Sequence, residues 1–327
     1  VALKVISGDS AKTVSQIAKR ADIPNSDKYL DVTGLPDEQL SELAREFTVF
    51  GRVTPGQKRV LVKALQNEGH TVAMTGDGVN DVMALKQADC SVAMASGTAA
   101  ARNVSEIVLV DSDFSAMPKI VKQGRQSINN IQRSASLFLI KTIYSSLLAL
   151  VFMFVSMPYP FIPIQLTLIS SFTIGLPSLI LGLEPNDERV KGSFLKNILK
   201  RAAPGGLATV MGIVTVMTAG TALGISGSQL DTVYVAAAAS AGLANLFFVC
   251  VPFNKIRIAL FAAMCAAIVS AMVFFSGFFG LCALGFKAAL LLAAVVAEVI
   301  LFILLLEYIN RRIDEKVSKR RTKKNRF

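Results

Sequence analysis

Two glycines and three Asp or Asn residues fall within seven positions, Thr75-Gly76-Asp77-Gly78-Val79-Asn80-Asp81. An apolar stretch that predicts a strand precedes this run, and residues 82–86 predict the start of a helix. Glycine lets a backbone approach a ligand closely, a helix N-terminus favours anions, and carboxylates bind hard cations through oxygen. The run therefore predicts a turn that holds a phosphate and Mg²⁺. The alternative is a tight turn with solvated acids.

Two further segments carry similar chemistry. Ser7-Gly8-Asp9 follows a predicted strand at residues 1–6 and precedes a predicted helix, and Arg52 ends a predicted strand that leads to Pro55. Lys58 lies in the first turn of the next helix, where a cation opposes the helix dipole unless an anion is near. A solvated surface lysine is the alternative for Lys58.

The elements that must position these residues alternate between strand and helix over the first 118 residues. Such alternation predicts a parallel, doubly wound α/β sheet whose ligands bind at the carboxyl ends of the strands. Ser7-Gly8-Asp9, Arg52 and residues 75–81 all lie at predicted strand ends, so we expect them to converge on one edge of that sheet.

The composition changes sharply after about residue 134. Mean hydropathy is +0.53 and only 17% of the 327 residues are charged, whereas soluble proteins carry about 25% charged residues. The net charge of +11 lies largely in short loops and the C-terminal tail without interleaved aromatic residues, which argues against nucleic-acid binding. The four cysteines are not spaced as a metal clip or a disulfide framework.

Six apolar segments are long enough to cross a bilayer. They are residues 135–156, 161–183, 204–225, 232–251, 257–275 and 286–306. Every second connection between them is basic, which predicts an integral multi-pass membrane protein with the soluble part and the C-terminus in the cytoplasm.

Two ionisable residues lie inside these spans. Lys141 is about two turns into the first span and Glu298 is in the middle of the last. Charges at membrane depth are expensive, so we expect a structural Lys141–Glu298 ion pair, with snorkelling of Lys141 to the interface as the alternative. The second span is interrupted at residues 170–177 by Gly175 and Pro177 beside hydroxyls, as at the ion sites of transporters.

The motifs together resemble those of the P-type ATPase superfamily. Residues 75–81 resemble its hinge motif, Ser7-Gly8-Asp9 its S/T-G-D turn, and residues 52–58 its R-V-x-P-x-x-K segment. Residues 93–98 and 111–114 and the stretch 124–130 resemble three further family motifs. The resemblance covers about the first 185 residues, and it is strongest to the ten-helix cation pumps related to bacterial calcium-transporting ATPases.

The resemblance implies a haloacid dehalogenase-like phosphorylation domain. Residues 1–118 would be its C-terminal part, 119–134 a cytoplasmic stalk, 135–310 membrane helices five to ten, and 311–327 a basic cytoplasmic tail. Asp77 and Asp81 would hold Mg²⁺. Asn80, Lys58, Ser7, Gly8, Asp9 and Arg52 would contact the phosphoryl group or the nucleotide of ATP.

The resemblance also implies that partners are missing. No D-K-T-G-T occurs in this sequence, so we expect the phosphorylated aspartate, the nucleotide-binding and actuator domains and membrane helices one to four to belong to the same pump outside it. This chain alone would then be inactive. A membrane-anchored phosphatase of the dehalogenase type and a non-catalytic regulatory fragment are the rival interpretations.

The cargo follows less directly from the resemblance. The positions that match the ion ligands of calcium pumps are Thr142, Ser145, Ser170 and Thr173, none of them a carboxylate. Any charged ligand would come from the missing fourth helix. We expect Ca²⁺ as the transported cation, with Mg²⁺, Mn²⁺ or another cargo as alternatives.

Overall fold

The structure, a computed structural model, describes residues 1–155, 157–190 and 192–324, with side chains as far as Ile313. The end of the predicted basic tail, residues 325–327, lies outside the described residues, as do the side chains of residues 314–324. The chain divides into two compact units, Val1–Ile120 and Val121–Phe327.

The first unit alternates short strands with helices. Its elements are β1 (Val5–Ile6), α1 (Ala11–Arg20), β2 (Tyr29–Asp31), α2 (Asp37–Leu43), β3 (Val49–Gly51), α3 (Pro55–Asn67), β4 (Ala73–Gly76), α4 (Val82–Gln87), β5 (Cys90–Met94), α5 (Ala99–Val104) and β6 (Ile107–Leu109). Single 3₁₀ turns occupy Val79–Asp81 and Phe114–Ala116. Strand β1 is shorter than the predicted residues 1–6, because it pairs over only two residues, and β6 pairs over three.

All strand pairs are parallel, as predicted, but they form two sheets rather than one. The orders are β1-β3-β2 and β4-β5-β6, so β1 and β4 each lie at a sheet edge within the described chain. In the first sheet Val5 lies opposite Val49, and in the second Gly76 lies opposite Ala93. The predicted single doubly wound sheet is therefore present as two separate three-stranded sheets.

Helix α3 packs into the cores of both sheets. Leu61 is buried with Phe50 of the first sheet, whereas its neighbour Val62 is buried with Met74 and Leu85 around the second. Consecutive residues of a helix point about 100° apart, so one helix can serve two cores. The start of α3, which carries Lys58, is fixed between them.

The second unit is helical. Its elements are α6 (Met117–Phe154, which begins within the first unit), α7 (Pro163–Ser170), a π-helical turn (Ser171–Gly175), α8 (Leu176–Leu183), α9 (Phe194–Ala222), α10 (Ser228–Cys250), α11 (Lys255–Phe274) and α12 (Phe286–Lys324). Within the described residues, six helical segments are long and apolar enough to cross a membrane. They share one continuous core.

The predicted interruption at residues 170–177 is present as the π-helical turn between α7 and α8. Pro177 has no N–H to offer the preceding turn, and such bulges are common at functional sites. Helix α10 approaches the π turn closely because Gly242 has no side chain. A Cβ there would lie 2.7 Å from Cγ2 and 2.9 Å from Oγ1 of Thr173.

Candidate functional site

The end of β4 places Asp81 in a buried position. The chain leaves the strand at Gly76, and the 3₁₀ turn Val79–Asp81 folds the Asp81 side chain back under it. Asp81 is only 7% exposed. Its Oδ2 accepts a hydrogen bond from the Gly78 N–H at 3.2 Å, and its Oδ1 accepts one from Lys58 Nζ at 2.7 Å.

Lys58 is held toward Asp81 by the start of α3. Thr54 and Gln57 form a reciprocal capping box, and Pro55 fixes the first helical position. The unfavourable placement of a cation at a helix N-terminus is offset by the Asp81 carboxylate, and the side chains of this ion pair are 12% and 10% exposed. The anion predicted near Lys58 is therefore Asp81, a residue of this chain.

Asp77 is exposed at the rim of the same turn. Its backbone carbonyl accepts a hydrogen bond from the Thr98 N–H at 2.8 Å. Gly97 packs against the Asp77 backbone so closely that a Cβ there would lie 2.7 Å from its carbonyl oxygen. The backbone is thus fixed, whereas the carboxylate makes no hydrogen bond or ion pair with any side chain in the described part of the protein. Asn80 is also exposed beside it.

A second group of predicted residues lies at the ends of β1 and β3. The Arg52 N–H donates to the Asp9 carbonyl at 2.8 Å, and the Ser7 hydroxyl donates to the Asp9 carboxylate at 3.2 Å. Arg52 has φ of +57°, unusual for a residue with a side chain, and its guanidinium lies 3.4 Å from Asp31. Backbone strain of this kind is typical of functional sites.

The structure therefore groups the predicted phosphoryl-site residues in two sets. One contains Lys58, Asp77, Asn80 and Asp81, and the other contains Ser7, Gly8, Asp9 and Arg52. No hydrogen bond or ion pair joins the two sets among the residues described, so their predicted convergence on one sheet edge stays a prediction.

The residues at the end of β4 fit Mg²⁺ unequally. Asp77 offers a free carboxylate, which suits a cation that keeps several waters and phosphate oxygens as ligands. Both oxygens of Asp81 are engaged by Lys58 and Gly78, so Asp81 fits a supporting role behind the metal. Within the described residues no three His, Cys, Asp or Glu side chains gather into a metal site.

A small cavity lies beside the π turn in the second unit. Its volume is about 10 Å³, near the lower limit for one water molecule. The residues around it come from α6, α7, the π turn, α9 and α10, with four polar side chains, Tyr144, Thr173, Thr209 and Asn245. The hydroxyl of Tyr144 and the Nδ2 of Asn245 are buried without a hydrogen-bond partner among the described groups.

The cavity includes only part of the ion site predicted from the sequence. Thr173 lines it, and Ser170 has a buried, unpartnered hydroxyl nearby in sequence. Thr142 and Ser145 do not line it, and each donates its hydroxyl proton to a carbonyl four residues back in α6. Asn245 was missed, although an amide in the apolar run of α10 is itself a signal of function.

The prediction of a Lys141–Glu298 ion pair was wrong. Glu298 accepts a hydrogen bond from the Thr215 hydroxyl at 3.0 Å, and no ion pair of Lys141 occurs among the described residues. The reason is the packing of α12, which lies against α9 and α10. Hydropathy predicts the depth of a residue in a membrane but not the helix that it faces.

Comparison with known proteins identifies the relatives of this chain. Residues 3–89, which contain both sets of phosphoryl-site residues, match the haloacid dehalogenase-like hydrolase family. The chain is 41% identical over 268 residues to a probable cation-transporting ATPase of Streptococcus pneumoniae, covering 80% of this chain and 34% of that protein. It is 40% identical over 290 residues to a calcium-transporting ATPase of Mycolicibacterium smegmatis, covering 84% and 36%. The chain is a homologue of cation-transporting P-type ATPases.

This homology to P-type ATPases confirms the resemblance and the haloacid dehalogenase-like class predicted from the motifs. The chain spans about a third of the length of these P-type relatives. A solved catalytic domain of a CPx-ATPase is 28% identical over 36% of this chain and 38% of its own, but its TM-score of 0.29 supports no argument about the fold.

Proposed function

We propose that this chain forms part of an ATP-driven cation pump that passes through an aspartyl-phosphate intermediate. The observation that carries the proposal is the buried Lys58–Asp81 pair next to the free carboxylate of Asp77, inside the region matched to the haloacid dehalogenase-like family. The nucleophilic aspartate would come from a part of the pump outside this sequence.

Each residue of the first set then has a distinct role. Asp77 ligates Mg²⁺, and Asp81 orients the turn through Gly78 while it holds Lys58 in place. Lys58 and Asn80 direct positive charge and N–H groups toward the phosphoryl oxygens. Bound Mg²⁺ supplies charge neutralisation at those oxygens. Ser7, Gly8, Asp9 and Arg52 contact the ATP side of the site.

The test is phosphorylation of the full-length pump by ATP. Asp77→Asn is expected to lower the rate of Mg²⁺-dependent phosphoenzyme formation by about 10²-fold or more, as removal of a preorganised charge typically does. Asp89→Asn is the matched control, because Asp89 is exposed near the opposite end of β4, where its carboxylate accepts a hydrogen bond from the Val72 N–H at 2.8 Å. Normal phosphorylation of the Asp77→Asn protein would overturn the assignment.

We propose Ca²⁺ as the cargo, bound at the cavity beside the π turn. Two observations support this proposal. Several relatives are named calcium-transporting ATPases, and the cavity offers hydroxyl and amide groups that match the oxygen preference of Ca²⁺. Its lining has no carboxylate, so a buried divalent cation would need an anionic ligand from elsewhere in the pump.

Two threonine variants test the cargo site. Thr173 and Thr221 each donate to the carbonyl four residues back, but Thr173 lines the cavity and Thr221 is exposed on α9. Thr173→Val is expected to raise the Ca²⁺ concentration for half-maximal ATPase stimulation by about tenfold, which corresponds to about 1.4 kcal/mol. Thr221→Val should leave it unchanged. Stimulation of the wild-type protein by another cation instead of Ca²⁺ would change the proposed cargo.

The proposed location is the bacterial plasma membrane, with the first unit and the C-terminus in the cytoplasm. The six membrane-capable helices support a multi-pass membrane protein. The basic connections between alternate spans support the orientation.

A further inference from the structure

A buried carboxylate directly follows α8. Glu184 is 5% exposed, and its carboxylate receives hydrogen bonds from three side chains. Arg133 of α6 donates from Nη1, Arg257 of α11 donates from Nε at 3.0 Å to both oxygens, and Asn254 donates from Nδ2. We call these four residues the Glu184 cluster.

The cluster joins α8 to α6, α10 and α11. Besides contacting Glu184, the Arg257 guanidinium donates to the carbonyls of Cys250, at the end of α10, and Pro252. On α6, Asn130 donates at 2.8 Å to the carbonyls of both Gly182 and Glu184. These bonds satisfy carbonyls at the end of α8, which a helix C-terminus leaves without partners.

Glu184 is the carboxylate that balances the charges of both arginines in the cluster. Burial acts to raise the pKa of Glu184, but the hydrogen bonds from Arg257 and Asn254 and the charge of Arg133 hold this pKa below its ordinary value. The carboxylate is therefore ionised at neutral pH. It lies between two guanidinium groups that are themselves almost fully buried, with side-chain exposures of 7% and 9%.

The position of Glu184 connects α6 to the π turn. Eleven residues separate Glu184 from Thr173, or about 16 Å along a helical path. Ser134 of α6 donates to the Ser178 carbonyl of α8, so the contact between the two helices continues along this path. Helix α6 runs without a break from Met117, within the first unit, past the Glu184 cluster to Tyr144 at the cavity.

We propose that Glu184 is a positioning residue that fixes the π turn relative to α6, so that cation binding at the cavity and displacement of α6 are energetically coupled. This inference rests on the proposed function of the chain as part of a cation pump. A shift of α6 pulls on Arg133 and Asn130 and hence on the end of α8. The π turn is the adjustable part of that helix, because its wider hydrogen-bond pattern breaks the regular ladder.

If the Glu184 cluster were purely structural, its substitutions would lower the stability of the protein without changing its Ca²⁺ dependence. Loss of one buried charge leaves another unpaired and destabilises the protein, whatever the role of the pair. The double substitution Arg133→Gln with Glu184→Gln removes one charge of each sign and keeps the net charge of the cluster. It leaves only the Arg257 guanidinium without a carboxylate, whereas Glu184→Gln alone leaves both guanidinium groups without one, so the double variant is expected to accumulate in the membrane at a higher level than Glu184→Gln.

The experiment measures phosphoenzyme formation in the full-length pump as a function of Ca²⁺, together with Ca²⁺-free phosphorylation by inorganic phosphate. In the double variant the Ca²⁺ concentration for half-maximal phosphorylation by ATP is expected to rise about tenfold, within the usual range of coupling between sites. Phosphorylation by inorganic phosphate should remain within about twofold of the wild type, since the residues at the end of β4 are untouched.

Gln165→Met is the matched control. Gln165 is 4% exposed at the other end of the same helical segment, and its amide donates to the Phe279 carbonyl at 3.0 Å rather than to α6. Its Ca²⁺ dependence should match the wild type. An unchanged Ca²⁺ dependence in the double variant, or an equal shift in Gln165→Met, would overturn the proposal. A wild-type pump with no cation-dependent phosphorylation would instead overturn the proposed function.

Discussion

At the level of single residues, the space left by Gly76 decides where Asp81 can lie. A Cβ on Gly76 would be 2.6 Å from Cβ and 2.8 Å from Oδ2 of Asp81, closer than real side chains approach. Because Asp81 holds Lys58, any side chain at position 76 also displaces the lysine. Two residues of the motif are thus coupled to a third in α3, 23 positions away from Asp81.

The first prediction uses this crowding. Gly76→Ala is expected to lower Mg²⁺-dependent phosphoenzyme formation by about 10²-fold, because it moves a preorganised charge out of place. The measurement is phosphorylation of the full-length pump by ATP. Gly56→Ala is the control, since a Cβ at Gly56 in the first turn of α3 meets no atom within 4 Å. Equal activity of the two variants would contradict the role given to Asp81.

Sequence reasoning was most successful at this scale. The dense polar run after an apolar stretch identified the turn, and the unfavourable lysine at a helix start indicated a nearby anion. It did not show that this anion is Asp81, because the pairing depends on how α3 packs between two cores. The roles of Asp77 and Asn80 remain predictions.

At the level of helices, the contact between α9 and α12 includes Glu298, the carboxylate in the last span. Gly212 of α9 lets α12 approach, since a Cβ there would lie 2.7 Å from Cγ2 of Val299. One turn further along α9, Thr215 donates to Glu298. In a lipid environment the alternative for Glu298 is a carboxylate without a partner, so this bond favours the association of the two helices.

Thr215→Val is accordingly expected to destabilise the helical bundle by about 0.6–2 kcal/mol, the range found for hydrogen bonds between membrane helices. Reversible unfolding in mixed detergent micelles would measure the loss. Thr218→Val removes a hydroxyl that bonds only within α9 and is exposed, so it should be nearly neutral. A loss of the same size in both variants would show that the contact with Glu298 contributes nothing.

The sequence did not predict which face of each membrane-spanning helix packs against its neighbours. The spans are predominantly apolar, so their hydropathy does not mark the side that faces a neighbouring helix. Thr142 and Tyr144 are two residues apart on α6, yet only Tyr144 reaches the cavity. The length and number of the spans were predictable, because the bilayer sets them.

At the level of the whole molecule, part of the positive charge used to predict its orientation is internal. Arg133 and Arg257 lie in basic connections of the sequence but are buried against Glu184. They contribute less to the attraction of anionic headgroups than exposed lysines do, because a nearby carboxylate screens them. The orientation therefore depends on the remaining exposed basic residues.

Thiol labelling of intact cells tests this orientation, in a background without the four native cysteines. Gly277→Cys, in the connection between α11 and α12, is expected to react with a membrane-impermeant maleimide from outside. Lys63→Cys, exposed on α3, should react only after permeabilisation. The reverse pattern would place the first unit outside the cell.

The split between the two sheets has a practical consequence. β1 and β4 each present an edge with N–H and C=O groups that no described strand pairs. Open edges are templates for strand addition by another molecule, and proteins usually cover them. A preparation of this polypeptide by itself would therefore be prone to aggregate through its first unit. Addition of a short peptide that pairs with these edges should keep it in solution.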